Sequence, residues 1–345
     1  MSLRSEILDQ PAVLARLLAT RFDDVRRMVQ EVARRDVEFV LIAARGTSDN
    51  AGLFAKYLWG IENHLPVALA APSMFSVYQS PPRLRRALVV GISQSGQSPD
   101  IVTVVQEGQR QGAATLAITD DPGSPLAQAA QYVIFTDTGT ERSVAATKTY
   151  TAQLMAIAMI SVGLRDGSEA RRELDAVPGL ISRALDLEPV VEQAAASFRE
   201  MTQSVVLGRG FNYATAHEWS LKLKELAYVM AAPYSSADFL HGPVAMLDRG
   251  FPVLVVAPSG AVLPDLIPLL RELGLSRGAS LLVISNDPEA LQLASIPLAI
   301  PVEMPEWLSP LVAIIPAQLF SMHMAAQKGL DVEHPRGLQK VTRTW

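Results

Sequence analysis

Cysteine does not occur in this chain of 345 residues, and its absence excludes several kinds of chemistry. Disulfides, thiolate metal sites and cysteine nucleophiles all require this residue. Histidine is also scarce, with 5 residues, and no cluster of ligand-type side chains predicts a metal site. We therefore expect neither a metal nor any other cofactor.

Basic tracts and long apolar runs are missing as well. The formal net charge is −5, and a protein without a basic patch is not expected to bind nucleic acid. The N-terminal residues MSLRSEILDQP lack the apolar stretch of a signal peptide. The most apolar helix candidate, near residues 154–164, is well short of the roughly 20 residues that cross a membrane. With 49% hydrophobic residues, the composition predicts a cytoplasmic globular protein with a large core and no membrane partner.

Short apolar runs alternate with helical patterns along residues 38–164. This alternation predicts an α/β fold with a doubly wound parallel sheet in a three-layer αβα arrangement. The predicted strands are 38–44, 66–70, 87–92, 114–118 and 131–135. The predicted helices lie near 50–60, 99–111, 123–130 and 146–164, after a helical N-terminal segment at 1–36.

The second half of the chain repeats the first at separations of 164 to 166 residues. The matching segments are FVLIAARG at 39–46 and SVVLGRG at 204–210, ALVVGI at 87–92 and PVLVVA at 252–257, and TLAITDDP at 115–122 and LLVISNDP at 281–288. A domain-sized period indicates duplication rather than a solenoid. We predict two tandem flavodoxin-like domains at 37–165 and 201–328, a helical connector at 166–200 and a C-terminal tail at 329–345.

A loop rich in serine, which we name the serine loop, follows the third predicted strand. Its residues 93–98 read SQSGQS, and Pro99 and Asp100 then open a helix. The orphan N–H groups and the dipole of a helix N-terminus favour an anion, and the loop contains neither Lys nor Arg. This pattern indicates a small phosphate monoester, the alternative being a capped turn without a ligand. The candidate binding residues are Ser93, Gln94, Ser95 and Ser98.

The turn ARGTSDN at 44–50 follows the first predicted strand. It ends its strand at the edge of a parallel sheet where ligands of open α/β folds bind. Ser48 is the best additional donor, and Gly46 and Thr47 belong to the same turn. Ordinary N-capping of the next helix is the alternative for Thr47 and Ser48.

Residues 213–230 are predicted to form a helix on which Glu218, Lys222 and Glu225 share one face, at spacing i, i+4, i+7. A carboxylate beside a lysine in a partly buried site can move a proton between adjacent carbons. The alternative is a solvated ion-pair ladder. His241 follows this helix closely and precedes Gly-Pro, where it is either structural or catalytic.

Lysine is rare, with 6 residues against 24 arginines. Arginine serves a surface charge equally well, so a retained lysine such as Lys222 or Lys340 indicates chemistry that arginine cannot perform. Schiff-base formation is one such reaction. Chance retention on an arginine-rich background is the alternative.

Seven motifs occur in order across nearly the whole chain. They are GTSDN at 46–50, SQSGQSPD at 93–100, GTERSVAATK at 139–148, LGRG at 207–210, SLKLKE at 220–225, HGP at 241–243 and PRGLQK at 335–340. Together they resemble the sugar isomerase (SIS) family. Within it, the chain is most similar to the isomerase half of the glucosamine-6-phosphate synthases.

This resemblance implies a role for each candidate residue. The sugar phosphate would be held by Ser48, Ser93, Gln94, Ser95 and Ser98, in the loops that also contain Gly46 and Thr47. The backbone of Val144 would contact the sugar. Glu225 would move the proton between C1 and C2 with help from Lys222, and Lys340 would meet the substrate carbonyl. His241 would open the sugar ring from a second subunit, so the resemblance also implies a homodimer with a shared active site.

Several positions depart from the synthase pattern. The synthases carry a glutaminase domain with a catalytic cysteine, whereas this chain has no cysteine. Ala146 stands where a substrate-binding serine is found, and Ser98 replaces threonine. These departures resemble the stand-alone SIS deaminases. No G-x-G-x-x-G motif follows the first strand, which makes a dinucleotide oxidoreductase a poor alternative.

We therefore expect an enzyme that acts on an amino sugar phosphate as an aldose–ketose isomerase and deaminase. The expected reaction converts glucosamine 6-phosphate to fructose 6-phosphate and ammonia. Ammonia-dependent synthesis, deglycation of another phosphorylated ketosamine, and a regulatory module that only binds a phosphosugar are the alternatives.

Overall fold

The computed structural model describes residues 2–165 and 168–341. The chain forms two compact units whose segments are interleaved along the sequence. The serine-loop unit contains Ala12–Glu141, Lys148–Asp175 and Gln339–Trp345, and the glutamate-helix unit contains Met1–Pro11, Arg142–Thr147 and Ala176–Leu338. The linear division into a leading segment, two domains, a connector and a tail stays a prediction. Parts of its connector and tail, at 166–167 and 342–345, lie outside the described residues.

Strands and helices alternate through both units. The strands are β1 (Phe39–Ala43), β2 (Val67–Leu69), β3 (Ala87–Ile92), β4 (Ala114–Thr119), β5 (Tyr132–Phe135), β6 (Gln203–Gly208), β7 (Met230–Ser235), β8 (Pro252–Val256), β9 (Ser280–Ser285) and β10 (Ile296–Ala299). The helices are α1 (Leu3–Leu8), α2 (Gln10–Ala33), α3 (Thr47–Asn63), α4 (Ser73–Ser76), α5 (Pro99–Arg110), α6 (Pro125–Ala129), α7 (Lys148–Gly163), α8 (Ser168–Leu185), α9 (Glu188–Ser197), α10 (Tyr213–Ala227), α11 (Ser236–Leu240), α12 (Leu263–Arg271), α13 (Pro288–Gln292) and α14 (Ser309–Gln327).

The serine-loop unit contains a five-stranded parallel sheet in the order β2-β1-β3-β4-β5. Strands β3 and β4 are buried at every position, as strands covered by helices on both faces must be. Their continuous apolar sequences follow from that burial. All five strands predicted for this region are present.

The glutamate-helix unit contains a second parallel sheet in the order β10-β9-β8-β6-β7. Numbered from its own first strand, it has the same order as the first sheet, which is the flavodoxin-like order 2-1-3-4-5. Strands β6, β8 and β9 take the places of β1, β3 and β4. The predicted fold, a duplicated doubly wound α/β domain, is confirmed.

Two expectations about helices are wrong. The helix predicted for 213–230 ends at Ala227, because Tyr228 adopts a left-handed conformation with φ 53° and β7 begins at Met230. The most apolar helical stretch is not near 154–164. Among the described residues, one helical stretch, Glu306–Gln327, is long and apolar enough to cross a membrane, but 94% of its most apolar window is buried inside the protein. That burial is typical of a core helix.

Candidate functional site

The serine loop and the turn after β1 lie at one edge of the first sheet. Strands β1 and β3 are neighbours with parallel register, Ala43 opposite Gly91, and the chain leaves them toward opposite sides of the sheet. This is the topological switch point, where ligands of such folds bind beyond the carboxyl ends of the strands. The structure therefore brings the predicted residues 46–48 and 93–98 to one edge.

The serine loop is held in shape by its own hydroxyls. The backbone N–H of Gly96 donates to Ser93 Oγ at 3.1 Å, and that of Gln97 donates to Ser95 Oγ at 3.3 Å. Gly96 has φ +59°, and a Cβ added to it would lie 2.2 Å from Ser124 Oγ. Only glycine fits this position, so the close turn of the loop depends on Gly96.

The helix that follows the loop begins as predicted. Ser98 occupies the N-cap position of α5 and Pro99 its first turn, and the hydroxyl of Ser98 makes no capping hydrogen bond. The carboxylate of Asp100 is fully buried and is bonded by Arg45, with Nε and a terminal guanidinium nitrogen at 2.9 and 2.8 Å. Arg45 therefore brings a half-exposed positive charge to the loop edge, which the sequence analysis did not assign to the site.

Ser48 lies in the first turn of α3. Gly46, with φ 53°, takes the N-cap position, and Thr47 and Ser48 are the first two residues of the helix. The Nε2 group of Gln153 donates to Ser48 Oγ at 3.0 Å. This bond orients the hydroxyl, whose own proton can point to a ligand.

Glu141 joins the serine loop to the tail lysine and was not among the predicted site residues. Its side chain is fully buried. The carboxylate accepts from Gln94 Nε2 at 3.1 Å and from Lys340 Nζ at 2.7 Å, both on Oε2. Thr149, in the first turn of α7, adds its backbone N–H at 3.2 Å and its hydroxyl at 2.9 Å. Gln94 and Lys340, predicted separately, are thus brought together by one carboxylate.

Glu218, Lys222 and Glu225 form a charge cluster on α10 in the glutamate-helix unit. Lys222 Nζ lies 3.3 Å from a Glu218 oxygen and 2.5 Å from Glu225 Oε2. The side chains of Glu218 and Lys222 are buried, whereas Glu225 is 23% exposed. Burial alone lowers the pKa of the Lys222 ammonium, but the carboxylates of Glu218 and Glu225 outweigh burial and raise the pKa above its ordinary value. The cluster is therefore not a solvated ladder, and Glu225 is its member that solvent reaches.

Val144 and His241 also belong to the glutamate-helix unit. Glu6 holds the segment that contains Val144 by accepting from the backbone N–H of Arg142 at 2.6 Å. His241 follows α11 and is exposed. Within the described part of the chain, its ring makes no hydrogen bond or ion pair, so the structure does not join it to the α10 cluster.

In the second sheet, the edge that corresponds to the serine-loop edge contains the carboxylate of Glu306. Arg209 pairs with Asp265 at 3.2 Å, which repeats the pair between Arg45 and Asp100. Where the serine loop would lie, the backbone N–H of Ala261 donates to Glu306 Oε2 at 2.7 Å. The duplicated fold keeps the ion pair, and the loop that corresponds to the serine loop is hydrogen-bonded to the carboxylate of Glu306.

A protein-family model described as SIS domain matches residues 35–162 and 197–328. The isomerizing glutamine–fructose-6-phosphate aminotransferase of Methanothermobacter thermautotrophicus is 34% identical over 337 residues, which cover 97% of this chain and 56% of that protein. The chain thus spans little more than half the length of such curated relatives.

Solved structures with the same fold cover nearly the whole chain. The C-terminal domain of glucosamine-fructose-6-phosphate aminotransferase from Francisella tularensis has a TM-score of 0.87 and 28% identity, covering 96% of this chain and 98% of that one. A protein from Silicibacter pomeroyi DSS-3, described as a phosphosugar isomerase, has a TM-score of 0.86 and 32% identity, covering 96% and 99%.

Proposed function

The chain belongs to the SIS domain family, and from that premise we propose that it isomerises and deaminates an amino sugar phosphate. The proposed reaction takes glucosamine 6-phosphate and water to fructose 6-phosphate and ammonia. The observation that carries the proposal is the Glu218–Lys222–Glu225 cluster, because a module that only binds a sugar has no need of a buried ammonium between two carboxylates. Such a cluster is costly unless it serves packing or chemistry.

The serine loop supports a phosphate ligand. Ser93, Ser95 and Ser98 supply neutral hydroxyl donors at the carboxyl edge of the sheet, and Arg45 supplies a positive charge there. Hydrogen bonds to a charged group are among the stronger ones in proteins. Ser48, and the turn of Gly46 and Thr47 that precedes α3, would complete the phosphate site, with the Val144 backbone directed at the sugar.

Glu225 is proposed as the base that moves a proton from C2 to C1 of the open-chain sugar. This transfer, together with the passage of a proton from the amino group to O1, converts the 2-amino aldose to the C2 imine of the ketose, which water then hydrolyses to the ketose and ammonia. Lys222 holds Glu225 in position through their ion pair. The amine of Lys340 would meet the carbonyl carbon of the ketose.

His241 is proposed to open the sugar ring, acting in the site of a second copy of the chain. Its exposure and the absence of a side-chain partner among the described residues support this assignment. The active protein would then be a homodimer whose members share their sites, because a two-fold axis repeats each such contact.

The relatives favour a second direction of the same chemistry. Their names describe an aminotransferase that acts on fructose 6-phosphate, so ammonia-dependent synthesis of the amino sugar is the second candidate. Both directions use the same carbons and the same proton transfer, and the serine loop and α10 serve either.

Ammonia release from a panel of hexosamine 6-phosphates tests the proposal. We expect release from glucosamine 6-phosphate, and much weaker turnover of glucosamine without its phosphate. Glu225→Gln is the inactive control, and Lys224→Met, which changes a neighbouring lysine outside the cluster, is the matched active control. If no phosphorylated hexosamine or ketosamine is isomerised or deaminated, the proposal is wrong.

A further inference from the structure

Glu141 binds two residues that the proposed function uses for different purposes. Gln94 belongs to the serine loop, and Lys340 belongs to the C-terminal tail. Both lie within 3.1 Å of the same carboxylate oxygen, Oε2. The serine loop and the tail lysine therefore share one acceptor atom.

We propose that Glu141 is a positioning residue that holds the ammonium of Lys340 against the serine loop until a sugar phosphate is bound. The inference rests on the proposed function for the role given to Lys340. It goes beyond that function in assigning a resting position to the lysine and a residue that sets it.

The buried carboxylate of Glu141 requires a cation. The Glu141 side chain is fully buried, whereas that of Lys340 is 24% exposed. A buried carboxylate is stable only when it is paired and hydrogen-bonded. Thr149 and Gln94 supply neutral donors, and Lys340 supplies the positive charge. Burial raises the pKa of Asp120, and the charge of Glu141 raises it further. This second carboxylate adds to the need of Glu141 for a cation.

A glutamine would replace Glu141 if its role were purely structural. Glutamine at position 141 could still accept from Gln94 and from the Thr149 hydroxyl on its amide oxygen, while its NH2 group would replace Oε1 beside the Thr149 backbone N–H. It could not form an ion pair with an ammonium. The change therefore removes the charge that attracts Lys340, which is the contact that a positioning role predicts.

The N-terminus of α7 holds Glu141 from one side. Thr149 donates its backbone N–H to Glu141 Oε1 in the first turn of α7, where an anion is favoured by the helix dipole. Glu141 is therefore fixed from the helix side, and Lys340, from an irregular and partly exposed segment, is the partner able to move. A sugar phosphate that binds Gln94 would compete for the same group of contacts.

Chemical labelling of Lys340 tests the inference without any enzyme assay. The full-length protein is treated with a trace of acetic anhydride, and the acetylation of Lys340 is measured by mass spectrometry relative to the exposed Lys56. In the wild type we expect Lys340 to react more slowly than Lys56. In Glu141→Gln we expect its relative rate to rise about fivefold, the factor that an ion pair of modest strength contributes.

A matched control separates the ion pair from general loosening of the unit. Glu62→Gln changes another partly buried carboxylate of the serine-loop unit, which pairs with Arg165 rather than Lys340. It should leave the relative labelling of Lys340 unchanged. Equal labelling of Lys340 in the wild type and Glu141→Gln overturns the inference. If that variant does not fold, a wild-type Lys340 that reacts as fast as Lys56 overturns it.

Turnover measurements supply the second readout. With glucosamine 6-phosphate, Glu141→Gln should lower kcat by about tenfold with little change in KM, and should add little to Lys340→Met in the double variant. Full additivity of the two changes overturns the positioning role. A wild type without turnover would count against the proposed function only, because the labelling result stands independently.

Discussion

The ammonium of Lys222 lies 2.5 Å from the carboxylate of Glu225, three residues along the same helix. Lys222 is buried and Glu225 is partly exposed. The ion pair therefore extends from the core of the glutamate-helix unit to its surface. Glu218, fully buried, lies on the other side of the ammonium. The stability of α10 and the proposed chemistry of Glu225 therefore depend on the same lysine.

Removal of Lys222 should destabilise the protein strongly. Lys222→Met leaves the Glu218 carboxylate buried without its cation, and breaking a buried pair in this way costs about 3–5 kcal/mol. Lys224→Met is the matched control, because Lys224 is exposed and bonds only Ser220 among the described contacts. Urea unfolding of the two variants compares them. Equal midpoints would contradict the structural role given to the cluster.

The cluster also predicts a limit to stability at high pH. The pKa of Lys222 is raised above the ordinary value of 10.5 in the folded protein, so its contribution is complete below that value and is lost as the pH rises through the folded pKa. We expect the melting temperature of the wild type to fall more steeply above about pH 10.5 than that of Lys222→Met. Parallel curves for the two proteins would show that Lys222 does not titrate as the structure indicates.

Gly96 should be essential to the serine loop. Gly96→Ala places a Cβ 2.2 Å from Ser124 Oγ at a φ of +59°, whereas Gly112→Ala adds a Cβ at φ +80° with nothing within 4 Å. Both changes carry the left-handed cost of about 1–2 kcal/mol, and only the first distorts the loop. Calorimetric titration with inorganic phosphate should find binding retained in Gly112→Ala and lost in Gly96→Ala. Undiminished binding in Gly96→Ala would remove the loop from the phosphate site.

The proposed homodimer can be tested by complementation. If His241 acts in the site of its partner, Glu225→Gln and His241→Ala chains expressed together form mixed dimers with one intact site. Random pairing then restores about a quarter of wild-type activity, whereas each variant alone is inactive. Co-purified variants that remain inactive, although mixed dimers are present, would place His241 and Glu225 of one chain in the same site.

Local patterns in the sequence identified much of the fold. Strands β3 and β4 are continuous apolar runs because both their faces are buried. Strands β7 and β10 were not predicted. Both strands lie at sheet edges and contain a proline, Pro233 in β7 and Pro297 in β10. Edge strands tolerate proline, but the proline interrupts the apolar run by which a strand is predicted.

The site was predictable only where its residues are close in sequence. The spacing of Glu218, Lys222 and Glu225 on one helix face identified that cluster. Glu141 was missed because its partners, Gln94 and Lys340, are 47 and 199 residues away. No local pattern marks such a carboxylate. The one signal that could have indicated a role for Glu141 was its place in the motif GTERSVAATK at 139–148.

The exchange of the C2 proton with solvent tests the central claim most directly. In deuterated water, the wild type should exchange the C2 proton of glucosamine 6-phosphate as it isomerises the sugar. Glu225→Gln keeps the shape of the side chain and removes the base, so exchange should fall by about 10²–10⁴-fold while phosphate binding stays nearly unchanged. Exchange at the wild-type rate in Glu225→Gln would contradict the account, because the base would then be another residue.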